Sequence, residues 1–231
     1  MNPDPSLLSD PVIVLLAWAG GIALAASVVS MRSVVGPGFT WLAAATALLV
    51  GIWPAMAGGG PLAWTALAAV ALGGLLATVN RPAAGVVLAV AGVSFVVVAS
   101  SAGAVLAVTA TLALGGITGE MLLGHWYLVD PTLPRWLLRA LAVVGLVGIA
   151  LDGAALGLTV GLAHTGFLVA VFWVLVVFTG ALMAAVIGAL RYPAYSGVMA
   201  ATGLSYLAVL TGLAAVFFGR VLASGAGPMI S

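Results

Sequence analysis

From residue 11 onward the chain is a succession of apolar runs, each about twenty residues long, separated by breaks of a few residues. A soluble domain carries about 25% charged residues. Here 5% are charged and 65% hydrophobic, with a mean hydropathy of +1.35. No single core buries that much apolar surface, so the sequence predicts an integral membrane protein. The runs are continuous and do not alternate apolar with polar residues, which predicts helices and argues against a barrel. The absence of cysteine excludes disulfides, thiolate metal sites and iron–sulfur ligation. All six basic residues are arginine, and no basic cluster is present that would neutralise a nucleic-acid backbone.

A helix needs roughly 20 apolar residues to cross about 30 Å of hydrocarbon. Breaks at polar, Pro and Gly clusters give eight runs, at 11–30, 38–57, 61–79, 83–101, 103–126, 135–160, 165–190 and 195–218. The expected fold is an all-α bundle of eight transmembrane helices with short loops, forming one domain over residues 1–231. Seven spans is the alternative count, because "NRPAAG" and "SSAG" are weak breaks. Arg32, Arg81, Arg135, Arg139 and Arg191 all fall on one side of an eight-span arrangement, and Arg220 on the other. The positive-inside rule then makes the arginine side cytoplasmic and puts both termini outside, in a cell (inner) membrane. The opening "MNPDPSLLSDP" lacks the positive region of a secretory signal, so the first apolar run is expected to remain as a span.

Glycines recur at four-residue spacing, as at Gly115 and Gly119 or Gly153, Gly157 and Gly161. Small residues at this spacing flatten a helix face and allow close backbone approach in lipid. They serve packing within one bundle, or an interface with another membrane subunit or a second copy. Trp41, Trp53 and Trp64, with Pro54, suit an interfacial aromatic belt.

Polar chemistry concentrates in "GEMLLGHWYLVDPTLPRW", residues 119–136. Glu120 lies six residues before Trp126, about 9 Å below the aromatic level. An ionisable group there is costly to hold and is a functional candidate by default. His125 can titrate, donate to a ligand carbonyl or bind haem iron; it projects about 140° away from Glu120 on an ideal helix. Tyr127 adds a hydroxyl. Pro131 and Pro134 stop the helix, and Asp130 or Thr132 can cap the next. Arg135 and Arg139, four apart, share a face suited either to snorkelling or to an anionic group. In the last span Tyr195, Met199, Thr202 and Tyr206 define one helical stripe flanked by Ser205. That stripe is expected to look inward and form a polar half-membrane pocket with Glu120. Asp152 lies seventeen residues past Arg135, about 25 Å along the axis, in the opposite half of the membrane. His164 falls at the turn on that side.

Two histidines at opposite membrane faces do not suit an intrinsic bis-histidine haem; a single-histidine haem, or one shared with another subunit, fits the sequence better. No nucleophile triad, metal cluster or phosphate-cradling loop is apparent. A quinone is better matched. Glu120, His125, Tyr127 and Arg139 offer hydrogen bonds and a proton-exchanging carboxyl beside an apolar cleft. The leading expectation is thus the membrane subunit of a respiratory or redox assembly, with a quinone- or lipid-type pocket near the cytoplasmic face. The first alternative is a small proton-coupled transporter or channel using Glu120 and Asp152. The second is a structural accessory subunit. A lateral opening beside Glu120 and His125 favours the quinone- or lipid-type pocket, an axial link from Glu120 toward Asp152 favours transport, and the structural reading predicts neither.

Overall fold

The breaks between runs end helices for identifiable local reasons. The computed structural model describes residues 10–130, 133–160 and 166–225, without the side chains of 159 and 160. Those residues form eight α-helices and no strand: α1 Pro11–Arg32, α2 Pro37–Met56, α3 Gly60–Leu76, α4 Arg81–Ala99, α5 Ala104–Val129, α6 Trp136–Val160, α7 Phe167–Ala189 and α8 Tyr195–Ala223. The first four each carry proline in the first turn, where its missing N–H costs nothing. Asp10 caps α1 by accepting from the Val12 N–H at 2.9 Å, and Asn80 caps α4 by accepting from Ala83 at 3.0 Å. The "SSAG" break is real: a 3-10 turn over Ser100–Ala102 ends at Gly103, whose φ of 129° lies outside the range most side chains tolerate.

Seven of the eight helices are long and apolar enough to cross a membrane. The exception is α3, whose 17 residues rise only about 26 Å, short of a full hydrocarbon thickness. The expected third span of 61–79 therefore contracts: its last residues form the turn that Asn80 closes. Span eight departs in the other direction. It was expected to end at residue 218, but α8 continues to Ala223 and carries Arg220 into the bundle.

Side-chain contacts fix which helix ends lie together. Arg81, opening α4, donates to the Val35 carbonyl at 2.9 Å beyond the end of α1. The Arg32 guanidinium sits over the Trp136 ring at 5.9 Å. Arg135 and Arg139 reach the carbonyls that follow α7. Arg32, Arg81, Arg135, Arg139 and Arg191 thus share one end, and Arg220 lies at the other beside Leu106. Exposed Trp41 and Trp136 mark the arginine-rich end, and exposed Trp53 and Trp64 the opposite one, as an aromatic belt requires.

The helices pack as two similarly connected groups of four. In the first, α1 packs on α2 and α4, and α3 on both of these; in the second, α5 packs on α6 and α8, and α7 on both of these. Contact between α1 and α5, the two most buried spans, joins the groups. At their crossing Gly21 lies against Gly115, and a Cβ on Gly21 would stand 2.5 Å from the Thr111 carbonyl oxygen and 2.6 Å from the Gly115 Cα. The four-residue glycine spacing serves packing within the chain at most of the sites expected: Gly119 faces Ala25, while Gly153 and Gly157 face Val176 and Trp173 of α7. Gly161 lies outside the described residues.

Gly21→Leu should therefore cost about 1–3 kcal/mol or more by overpacking two backbones. Gly36→Ala, with nothing within 4 Å of the added carbon, should be silent. Thermal unfolding in detergent measures both.

Candidate functional site

Two buried polar centres, one toward each end, occupy the second group of helices. The first is at Glu120 on α5, with a relative exposure of 0%. Its Oε2 is in hydrogen-bond contact with the Ser205 hydroxyl of α8, and its Oε1 has no partner among the described residues. Ser205 also donates to the Ala201 carbonyl one turn back, at 2.8 Å. One turn toward the arginine-rich end, Thr202 packs its hydroxyl against Gly124, where a Cβ would stand 2.6 Å from Thr202 Oγ1. That hydroxyl donates to the Val198 carbonyl at 2.9 Å.

The second centre is at the opposite end. Arg220 of α8 forms a two-pronged ion pair with Asp152 of α6, at 2.6 Å to Oδ1 and 3.2 Å to Oδ2. It also donates to the Leu106 carbonyl at 2.8 Å, and Thr109 donates to Asp152 Oδ1 at 2.5 Å. Both charged side chains are almost fully buried. Beside Arg220 a cavity of about 10 Å³, roughly one water in size, is enclosed by Ile13, Val14, Ala17, Gly103, Leu106 and Ala110. Such a pair is held by its geometry: the bidentate fork and the added donors offset the cost of removing two charges from water.

One seam connects the centres. Thr109 and Glu120 are eleven residues apart on α5, about 16 Å along the axis and only about 20° apart in projection. Ser205 and Arg220 lie on one side of α8. Between them the seam is filled by small or apolar groups: Gly212 of α8 packs against Ile117 of α5 and Thr179 of α7. Thr179 donates to Thr211 at 2.8 Å.

The residues singled out from sequence are dispersed. Glu120 and Thr202 meet inside the bundle with Ser205. His125 and Tyr206, 3.5 Å apart at the limit of a hydrogen bond, sit on its outer surface; Tyr206 is 47% exposed. The expected inward stripe is thus split, with Tyr195, Met199 and Tyr206 outside and Thr202 inside, because α8 packs on α5 through Thr202, Ser205 and Ala208. Tyr127 is buried and donates to the Pro134 carbonyl, bracing the α5–α6 loop. Arg135 donates to the carbonyls of Tyr192, Pro193 and Ala194, and Arg139 to that of Leu190. These two arginines satisfy carbonyls left open where α7 ends. Asp152 lies in the far half, as expected, but its partner Arg220 was missed. The signal was present: Arg220 is 25 residues past Tyr195, deep enough to reach the level of Asp152. Pro131, Thr132 and His164 lie outside the described residues.

Comparison with protein-family models, with curated proteins and with solved structures gives no match.

Arg220→Gln leaves Asp152 buried without its counter-charge and should destabilise the protein by about 3–5 kcal/mol. Adding Asp152→Asn should recover most of that loss. A double-mutant cycle on thermal unfolding checks this; independent, additive losses would show that the pair is not coupled.

Proposed function

We propose that this is an integral membrane protein whose α5–α8 seam handles protons, with Glu120 and the Asp152–Arg220 pair as its two stations, as in a small proton-coupled transporter or channel. The alignment of both centres along one seam carries the reading. Ser205 has one O–H for two acceptors, Glu120 Oε2 and the Ala201 carbonyl. On this reading both contacts are satisfied by a protonated Glu120 that donates to Ser205. An ionised carboxylate there would hold one oxygen with no donor among the described residues, a costly state at that depth. At the other end Asp152 faces the Arg220 guanidinium. Passage of a proton from Glu120 toward the level of Thr109, about 16 Å along α5, requires the packed contact around Ile117 and Gly212 to loosen and admit water.

A second reading rests on His125 and Tyr206. Their pairing on the lipid-facing surface near the arginine-rich end offers two hydrogen-bonding groups to a quinone carbonyl. The pair would suit the membrane subunit of a redox assembly, with His125 also free to share a haem. Solvent extraction of the purified protein should then yield quinone, and His125→Ala should lose it; a quinone-free, colourless protein overturns this second reading alone.

The main reading is tested in liposomes containing a pH-sensitive dye and driven by a potassium diffusion potential. Proton entry should exceed that of protein-free vesicles and fall about tenfold or more in Glu120→Gln. Flux at the protein-free level, or flux indifferent to Glu120, contradicts it.

A further inference from the structure

On the side of α5 away from the seam, an apolar groove of about 260 Å³ runs between α1, α5 and α6. Its floor is the glycine crossing, Gly21, Gly115 and Gly116, where the helices touch at their backbones. Val28, Ala140 and Val144 form an outer rim that is exposed on the bundle surface, so the groove opens sideways. From Gly21 to Val28 it extends roughly 10 Å along the helix axes. A single polar side chain lines it. Thr111 is 5% exposed, and its hydroxyl has no hydrogen-bond partner among the described residues.

The chemistry of the mouth differs. One turn beyond Val28, on the same face of α1, stands Arg32; one residue before the start of the α6 wall stands Trp136. The two are stacked at 5.9 Å and both are exposed. Arg32 makes no salt bridge among the described residues. A cation and an interfacial indole therefore close the arginine-rich end of a groove that is apolar below them. This vertical order, charge above hydrocarbon, matches one molecule only in the leaflet at that end: a lipid with an anionic head group.

We propose that the groove between α1, α5 and α6 is a binding site for one anionic phospholipid, its phosphate on Arg32 beside Trp136 and one acyl chain against the Gly21–Gly115 crossing. The chain covers a floor that no side chain fills, and thereby braces the contact joining the two groups of helices. The inference rests on the membrane reading but not on the proton seam, which lies on the other face of α5.

Native mass spectrometry of the full chain in detergent, with phosphatidylglycerol and phosphatidylcholine of matched chains, tests the site. The wild type should retain one phosphatidylglycerol at least about fivefold more strongly than phosphatidylcholine. Arg32→Gln should abolish that preference, and Ala140→Phe, which fills the exposed rim without touching the glycine crossing, should weaken retention of both lipids. Brominated phosphatidylglycerol should quench the emission of the wild type more than that of Trp136→Phe, a readout made on folded protein. Equal retention of the two lipids by the wild type, or undiminished phosphatidylglycerol preference in Arg32→Gln, overturns the proposal. Detergent-dependent solubility with no lipid preference would leave the membrane reading intact while removing the site.

Discussion

Two glycine backbones, at Gly21 and Gly115, touch where α1 crosses α5, and the rest of the bundle is arranged around that contact. In the membrane setting proposed for these helices there is no hydrophobic effect to press them together, so close packing and interhelical hydrogen bonds must do so. The crossing is reinforced by Trp18 of α1, whose indole donates to Thr118 of α5 at 2.8 Å. It also divides α5 into two working faces. One faces α1 and carries the glycine floor of the groove; the other faces α6 and α8 and carries Glu120 and Thr109. Almost all the unusual chemistry of the chain hangs on this one helix.

The second constraint is the accounting of polar groups. Where no water is at hand, each donor and acceptor needs a protein partner. Most of the chain meets this simply: Ser30 pairs with Thr40, Thr179 with Thr211, and Ser and Thr hydroxyls elsewhere return to carbonyls three or four residues back. The arginines at the bundle end satisfy carbonyls of loops, and three of them donate to neighbouring backbone. Against that thrift Glu120 stands out, since one of its buried oxygens has no partner among the described residues. Asp152 is the opposite case, over-provided with donors from Arg220 and Thr109. A carboxyl with one unpartnered oxygen at one end and a locked ion pair at the other form an asymmetric pair, confined to the second group of helices although both groups share one pattern of packing.

Much of the architecture was legible because hydropathy and helix punctuation are local. Prolines, Asn80 and Gly103 mark breaks through their own backbone chemistry, and the side on which each arginine falls follows from counting. The length of α3 was not legible, since an apolar run does not reveal where a turn begins within it. Nor was the end of α8: Arg220 reads as the first residue of a loop until Asp152 is found beside it, and that pairing joins residues 68 positions apart. The site was half visible. Glu120 announced itself as a carboxyl in an apolar helix, and its angular separation from His125 correctly implied different surroundings for the two. The stripe from Tyr195 to Tyr206 misled because spacing defines a face without saying which way that face is turned. Ser205, noted only as a flanking residue, is the one that meets Glu120.

The measurement that bears most directly on the account is infrared difference spectroscopy of the purified protein in lipid, recorded between acidic and alkaline buffer. The account predicts the carbonyl stretch of a protonated carboxylic acid that disappears in Glu120→Gln and persists in Asp152→Asn. A spectrum without any Glu120-dependent carboxylic-acid band would contradict it, because Glu120 would then be ionised and the division of protonation between the two ends of the seam would not exist.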